Sequence, residues 1–131
     1  MTEPRFLTIS EVIEIHDQEI LSAGGHAGIR DMRALESAMG APLATQAGVF
    51  LMDIFEMAAT YLNSIAFNHL FMDGNKRTAL AAALTFLFIN GYETEELHEE
   101  ELADKTLELL CHKLSKQDIA QHLKTRSKEI K

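Results

Sequence analysis

Residues 78–89, "TALAAALTFLFI", decide the fold expected from this sequence, because ten of these twelve residues are apolar. A helix that is apolar on every side has to be buried on every side. The segment ends at Asn90 and Gly91, a pair that is typical of a helix C-terminus. We therefore predict a central helix over residues 76–90, with the rest of the chain packed around it.

Five further helices are predicted around this central segment. Thr8 with Glu11 and Ser115 with Asp118 form capping boxes, and Asp31 is a typical N-cap residue. Apolar residues recur at helical spacing in all five segments. The predicted helices cover residues 8–22, 31–40, 50–67, 98–112 and 115–123.

Strand patterns do not accumulate anywhere, although residues 92–96, "YETEE", are compatible with a brief strand or turn. No repeat, linker or low-complexity tract divides residues 1–131. The sequence therefore predicts a single all-α domain, a bundle of about six helices around a buried central helix. Residues 124–131, "KTRSKEIK", are predicted to form a solvated tail.

Composition narrows the class of partner and the compartment. A net charge of −8 with a pI near 5.2 argues against non-specific binding to nucleic acid or to anionic membranes. The longest apolar run is well short of a membrane span, and no signal peptide is recognisable. Cys111 is the single cysteine, which fits a reducing compartment. We expect a cytoplasmic protein with no direct nucleic-acid or membrane partner.

The stretch just before the predicted central helix, "NHLFMDGNKR" over residues 68–77, carries unusual chemistry. The first N–H groups of a helix lack partners, and the helix macrodipole places partial positive charge there. Gly74 lets a ligand approach the backbone closely, and Asn75 can bind an oxygen. Lys76 and Arg77 add two full positive charges. Together these features predict an anion site suited to phosphate.

Two further residues of the same stretch, His69 and Asp73, can supply a base and a metal ligand. Imidazole can accept the proton of an attacking hydroxyl near neutral pH. Magnesium is usually bound by one or two carboxylates together with the substrate's phosphates. The set predicts a phosphate-transferring enzyme. Taken singly, Asp73 or Asn75 can simply cap the helix, and a zinc pair of His69 and Asp73 has no further ligands at a recognised spacing.

The segment "HLFMDGNKRTAL", residues 69–80, resembles the signature of the Fic/Doc family, H-P-F-x-(D/E)-G-N-(G/K)-R. Its flanks are similar to the Doc, or death-on-curing, branch of that family. The similarity runs from about residue 8 to residue 123. The flanking segments that carry it are "EVIEIHD", "GGHAGIRD", "LESAM", "FEMAATYLNSIAFNH" and "ALTFLFINGY".

The resemblance implies a role for each matching residue. His69 matches the family's general base, Asp73 its metal ligand and Phe71 the aromatic that anchors the loop in the core. His16 and Asp17 belong to the resemblance and are expected to support the fold. The phosphate-binding turn is matched by Gly74, Asn75, Lys76 and Arg77.

Three positions are departures, one from the family motif and two from the adenylyl-transferring branch of Fic proteins. Leu70 replaces the common proline, which leaves the loop less rigid in expectation. Lys76 stands where that branch has glycine, and Leu80 stands where it has a second arginine. The last two features match the Doc branch.

The resemblance to the Doc branch implies a toxin of a toxin–antitoxin module, an ATP-dependent protein kinase that uses Mg²⁺. Its implied substrate is a hydroxyl of a translation elongation factor, whose phosphorylation arrests translation. Ser10 to Glu14 and Thr125 to Glu129 lack the residue that completes the family's inhibitory segment, so inhibition in trans by an antitoxin is expected. Two alternatives stay open: adenylyl transfer from the same site, and a catalytically inactive module that binds an antitoxin or another protein.

Overall fold

The computed structural model describes residues 3–130, apart from the side chains of residues 96–98. It confirms the predicted all-α class: six α-helices carry the fold, with a 3₁₀ turn at Ala41–Leu43 and two small pairs of strands. The helices are α1 (Ile9–Ala23), α2 (Met32–Gly40), α3 (Ile54–Phe67), α4 (Asn75–Ile89), α5 (Glu96–Leu110) and α6 (Lys116–Arg126). The strands are β1 (Thr45–Gln46), β2 (Val49–Phe50), β3 (Tyr92–Thr94) and β4 (Ser127–Glu129).

Three helices begin with a complete capping box. The side chains of Thr8, Asp53 and Ser115 each accept a hydrogen bond from the backbone N–H three residues later. The acidic side chain at that later position accepts from the cap's own N–H in return. Each box satisfies backbone donors that a helix start would otherwise leave without partners.

The centre of the bundle is the pair α3 and α4, which pack along one another. α4 also contacts α1, α5 and β3, while α3 contacts α2, α5 and α6. The largest fully buried side chains include Tyr61 and Phe86, whose rings lie 5.0 Å apart across this pair. Burial of aromatic side chains of this size is the main stabilising contribution to such a core.

The two central helices differ in how completely they are buried. On α3 every residue from Met57 to Leu62 is buried. α4 is buried along one side, whereas Phe88 near its end is 60% exposed. The sequence pattern predicted that α4 is buried on all sides. The structure shows instead that α3 and α4 together form the centre of the core. The alanines of α4 explain the difference. They count as apolar in the sequence pattern, and their small side chains also allow α3 to pack closely against α4.

The small strands correct the sequence-based description at two places. Residues 45–50 form a hairpin, with Ala47 and Gly48 at positive φ in its turn, so α3 begins at Ile54 and not near residue 50. β4 pairs antiparallel with β3. The predicted solvated tail is therefore partly ordered in its backbone, although Lys128 and Glu129 are exposed as expected. None of the helices described within residues 3–130 combines the length and apolar content of a membrane span.

Candidate active site

The loop between α3 and α4 is anchored by a short piece of chain that follows α1. The carbonyl of Leu70 accepts hydrogen bonds from the N–H groups of Arg30 and Asp31, at 2.8 and 3.2 Å. The N–H of Met72 donates to the carbonyl of Gly28 at 3.0 Å. Leu70, where the family motif commonly has proline, is fully buried. Burial and backbone hydrogen bonds to residues 28–31 thus hold a loop that lacks the proline.

Asn75 holds the loop closed through its side chain. Its Oδ1 accepts from the N–H of Phe71 at 3.0 Å, and its Nδ2 donates to the Phe71 carbonyl at 3.0 Å. The Phe71 ring itself is 1% exposed, inside the core. Both polar groups of the Asn75 side chain are therefore engaged on Phe71. What Asn75 can offer a phosphate is its backbone N–H, at the first position of α4.

The N-terminus of α4 has no side-chain cap. Gly74 occupies the N-cap position with a φ of 73°, in the left-handed region that favours glycine. Neither Asp73 nor Asn75 caps the helix, which was the alternative interpretation of both residues. The first N–H groups of α4 therefore lack a side-chain partner, and Gly74, Asn75 and Lys76 line a cleft at the positive end of the helix macrodipole. Such a helix start is an anion site.

The Asp73 carboxylate lies beside this helix start and accepts two backbone hydrogen bonds. Oδ1 accepts from the N–H of Gly74 at 2.8 Å, and Oδ2 accepts from the N–H of His26 at 3.2 Å. These bonds, with a smaller contribution from the Arg77 charge, hold the pKa of the Asp73 carboxyl below its usual value. Asp73 is thus ionised at neutral pH.

The Asp73 site fits a magnesium ion that is shared with a nucleotide. Each carboxylate oxygen accepts one hydrogen bond and keeps a lone pair for a metal. Magnesium prefers oxygen ligands and typically takes one or two carboxylates together with phosphates and water. Among the side chains that the structure describes, no group of three or more His, Cys, Asp or Glu is assembled as a metal cluster. Asp73 would leave the other positions of a bound magnesium ion to phosphates and water.

His69 lies at the other end of the loop and lines the same cleft, which has a volume of about 600 Å³. It is exposed, and its φ of 47° is unusual for a residue with a side chain. This conformation costs roughly 1–2 kcal/mol. His112 and Ala47 share it, so the strain alone does not mark a catalytic residue. What distinguishes His69 is its place in the cleft that Asp73 and Gly74 also line.

The two cations of the stretch are used differently. The guanidinium of Arg77 donates to the carbonyls of Glu19 and Gly24, at 3.3 and 3.0 Å, at the C-terminal end of α1. A cation there is favourable because carbonyl groups and negative helix charge meet at that end. Lys76 is exposed and lines the cleft. Arg77 therefore joins α4 to α1 and also lines the cleft, whereas Lys76 lines the cleft with an exposed side chain.

Sequence reasoning assigned His16 to support of the fold, and the structure places it buried beneath the site, in contact with the loop. Its Nε2 lies 2.8 Å from the Asp73 carbonyl, and its ring stacks on Phe71 with centroids 3.9 Å apart. A signal was present in the sequence. His16 falls on the apolar stripe of α1, between Val12 and Ile20, where a polar residue needs a buried partner.

Comparisons with known proteins identify the family of this chain. The profile of the Fic/DOC family matches residues 6–87, which include α1 and the whole loop. The chain is 38% identical over 120 residues to a protein named "Protein kinase doc" from Escherichia phage P1, covering 92% of this chain and 94% of that one. It is 46% identical over 74 residues to "Toxin Doc" from Mycolicibacterium smegmatis, covering 56% and 57% of the two chains. The chain belongs to the Fic/Doc family.

Proposed function

We propose that this protein is a Doc-type toxin, a kinase that transfers the γ-phosphate of ATP to a hydroxyl of a protein. The observation that carries the proposal is that His69, Asp73 and the uncapped start of α4 line one cleft. A base, a metal ligand and an anion site are the parts that phosphoryl transfer requires. A relative that covers 92% of the chain and is named a protein kinase supports the same reaction.

In the proposed reaction His69 accepts the proton of the substrate hydroxyl. The hydroxyl oxygen bonds to the γ-phosphorus, the bond from that phosphorus to the β–γ bridging oxygen breaks, and ADP leaves. The N–H groups at the start of α4 and the Lys76 ammonium hold the phosphates. Asp73 would hold Mg²⁺, which neutralises charge on the phosphates when it is bound.

Two positions on α4 favour γ-phosphate transfer over adenylyl transfer. Lys76 places a long cation where glycine would leave room for phosphates against the backbone. Leu80, one turn later, lines a pocket of about 160 Å³ together with Lys76 and Arg77, and its own side chain offers no charge to the far end of a triphosphate. In-line transfer depends on which phosphorus faces the hydroxyl. A nucleotide held differently presents a different phosphorus.

We further propose a translation elongation factor as the protein substrate and a separate antitoxin as the inhibitor, with both acting in the cytoplasm. These partners rest on the resemblance to the Doc branch and on the names of the two relatives. Neither Ser10 to Glu14 nor Thr125 to Glu129 lines the cleft, which supports inhibition by another chain. An antitoxin segment that folds on binding is a suitable inhibitor of this kind.

The experiment that tests this proposal uses ATP labelled at either the α or the γ phosphorus. The protein is incubated with a bacterial lysate, a purified elongation factor and Mg²⁺. We expect label on the elongation factor from γ-labelled ATP alone. His69→Ala serves as the control, because it reports the label that endogenous kinases of the lysate transfer.

Each other outcome contradicts the proposal in a defined way. Label from the α position would establish adenylyl transfer and refute the kinase. Label on a different protein would keep the chemistry and replace the substrate. If neither the wild-type protein nor His69→Ala adds label from either position beyond that seen in lysate without the protein, the inactive binding module is correct.

A further inference from the structure

Among the residues that the structure describes, His16 is the only buried histidine. It lies at the candidate site but does not line the cleft. It is 1% exposed, in the third turn of α1. Both of its close contacts outside α1 fall on the loop: the stacked ring of Phe71 and the carbonyl of Asp73. The rings are nearly parallel, with an interplanar angle of 7°.

The hydrogen bond to Asp73 defines which ring nitrogen carries a hydrogen. A carbonyl oxygen can only accept, so Nε2, 2.8 Å away, is the donor. The peptide unit that contains this carbonyl also contains the N–H of Gly74, and the unit is planar. That N–H donates to Oδ1 of Asp73 at 2.8 Å. By holding the carbonyl, His16 therefore fixes the direction of the N–H that orients the carboxylate.

The same peptide unit leads directly into α4. Gly74 is the N-cap residue, and the left-handed conformation at this position sets where the following N–H groups point. A methyl carbon built on Gly74 would lie 3.8 Å from Cδ2 of His16, so the ring is in contact range of the turn. One buried side chain thus braces the proposed metal ligand and the proposed anion site together.

We propose that His16 is a positioning residue of this site. It holds the Asp73–Gly74 peptide so that the Asp73 carboxylate and the first N–H groups of α4 are preorganised for Mg²⁺ and ATP. The role in turnover rests on the proposed kinase function, whereas the role in orienting the peptide does not. Residues that orient metal ligands in this way typically contribute roughly 10–100-fold to affinity or activity.

Two substitutions separate the contacts that His16 makes. His16→Phe keeps an aromatic ring against Phe71 and removes the donor to Asp73. His16→Gln keeps an N–H donor of similar reach and removes the ring. Thr60→Val is the matched control, because the buried Thr60 hydroxyl also donates to a backbone carbonyl at 2.8 Å, on α3 and away from the cleft.

The first measurement is the rate of γ-label transfer to the elongation factor over a series of Mg²⁺–ATP concentrations. We expect His16→Phe to lower kcat by roughly 10–100-fold. We expect His16→Gln to recover most of that loss and Thr60→Val to leave kcat unchanged. A purely structural role predicts that both His16 variants lose activity in proportion to their loss of folded protein, as monitored by circular dichroism.

The second measurement is hydrogen exchange at the Gly74 amide, which needs no activity. We expect faster exchange in His16→Phe, wild-type exchange in His16→Gln and Thr60→Val, and unchanged exchange at core amides such as Ala82. If the wild-type protein transfers no label, the kinase proposal fails and Gly74 exchange alone decides the role of His16. Wild-type exchange at Gly74 in His16→Phe would overturn the inference, whatever the kcat of that variant.

Discussion

The start of α4 differs from the starts of α1, α3 and α6. Those three helices are closed by capping boxes whose partners lie three residues apart. α4 has no side-chain cap. It is braced instead by residues far away in the sequence: His16 is 57 positions from Asp73, and Arg77 is 53 positions from Gly24.

The difference between the capped and uncapped helix starts indicates that stability and activity depend on different parts of the chain. A capping box satisfies the backbone donors of a helix start, and the same donors are then closed to a ligand. A helix start that is stabilised by contacts with distant residues, and not by a cap, keeps its N–H donors available to a ligand. Those long-range contacts must then offset the stability that a missing cap costs. Changes at the boxes should therefore reduce stability, and changes around α4 should reduce activity first.

The largest effect is expected at His69. His69→Ala removes the proposed base and should lower phosphate transfer by roughly 10²–10⁴-fold, while the exposed position leaves thermal stability nearly unchanged. Expression of the variant should no longer arrest bacterial growth. His112→Ala is the control, since His112 is also an exposed histidine with positive φ. A His69→Ala variant as toxic as the wild type would remove His69 from the mechanism.

The next effect compares two adjacent glycines. A methyl carbon at Gly25 would lie 2.6 Å from Oδ2 of Asp73, which is too close, whereas one at Gly24 meets nothing within 4 Å. Both glycines have positive φ, so both substitutions by alanine carry backbone strain. Only Gly25→Ala should displace the carboxylate, and it should weaken Mg²⁺-dependent ATP binding by roughly 10-fold or more.

Calorimetry of ATP binding with and without Mg²⁺ measures this difference. We expect Gly24→Ala to keep the magnesium dependence of the wild type. Asp73→Ala sets the lower limit, because it removes the carboxylate completely. Equal magnesium dependence in Gly25→Ala and Gly24→Ala would mean that the added methyl group does not displace the carboxylate. Wild-type magnesium dependence in Asp73→Ala would mean that Asp73 does not hold the metal.

The same contrast explains how much of the structure the sequence predicts. The boxes at Thr8 and Ser115 were predicted because every partner lies within one helical turn. The box at Asp53 was missed, since the apolar residues from Phe50 to Met52 extend the helical pattern of α3 towards the hairpin. The hairpin itself turns at Ala47 and Gly48, a weaker signal than Asn-Gly.

The composition of the site was predictable, but its bracing was not. The chemical groups of the stretch from His69 to Arg77 can be recognised from the sequence because these residues are contiguous. The distant partners of Asp73 are His16 on α1 and His26 shortly after it, and only the packing of α1 against α4 brings them near. The side chain of Asn75, predicted to bind phosphate, is engaged on Phe71 for the same reason: local sequence does not say which partner a polar group finds.

A smaller effect is expected at a capping box remote from the cleft. Ser115→Ala removes the side-chain oxygen that accepts from the N–H of Asp118 at 3.2 Å. Loss of such a cap typically costs about 1 kcal/mol of unfolding free energy. We expect that loss in denaturant unfolding, with no change in the rate of label transfer. A lower rate of label transfer under conditions in which Ser115→Ala is fully folded would show that the capping boxes also contribute to activity.

The smallest effect is a pH dependence that belongs to the same box. Hydrogen bonds from the backbone N–H and the hydroxyl of Ser115 hold the pKa of the Asp118 carboxyl below its usual value. Because the folded-state pKa is lowered, the stabilisation is complete above the unfolded-state pKa of about 3.9 and is lost as the pH falls through the folded-state value. The melting temperature of the wild type should therefore exceed that of Asp118→Asn at pH 7, and the difference should narrow below about pH 4. Since Asp73 is present in both proteins, its own titration cancels from the difference. A difference that stays constant from pH 7 to pH 3 would show that the Asp118 charge does not contribute to the box.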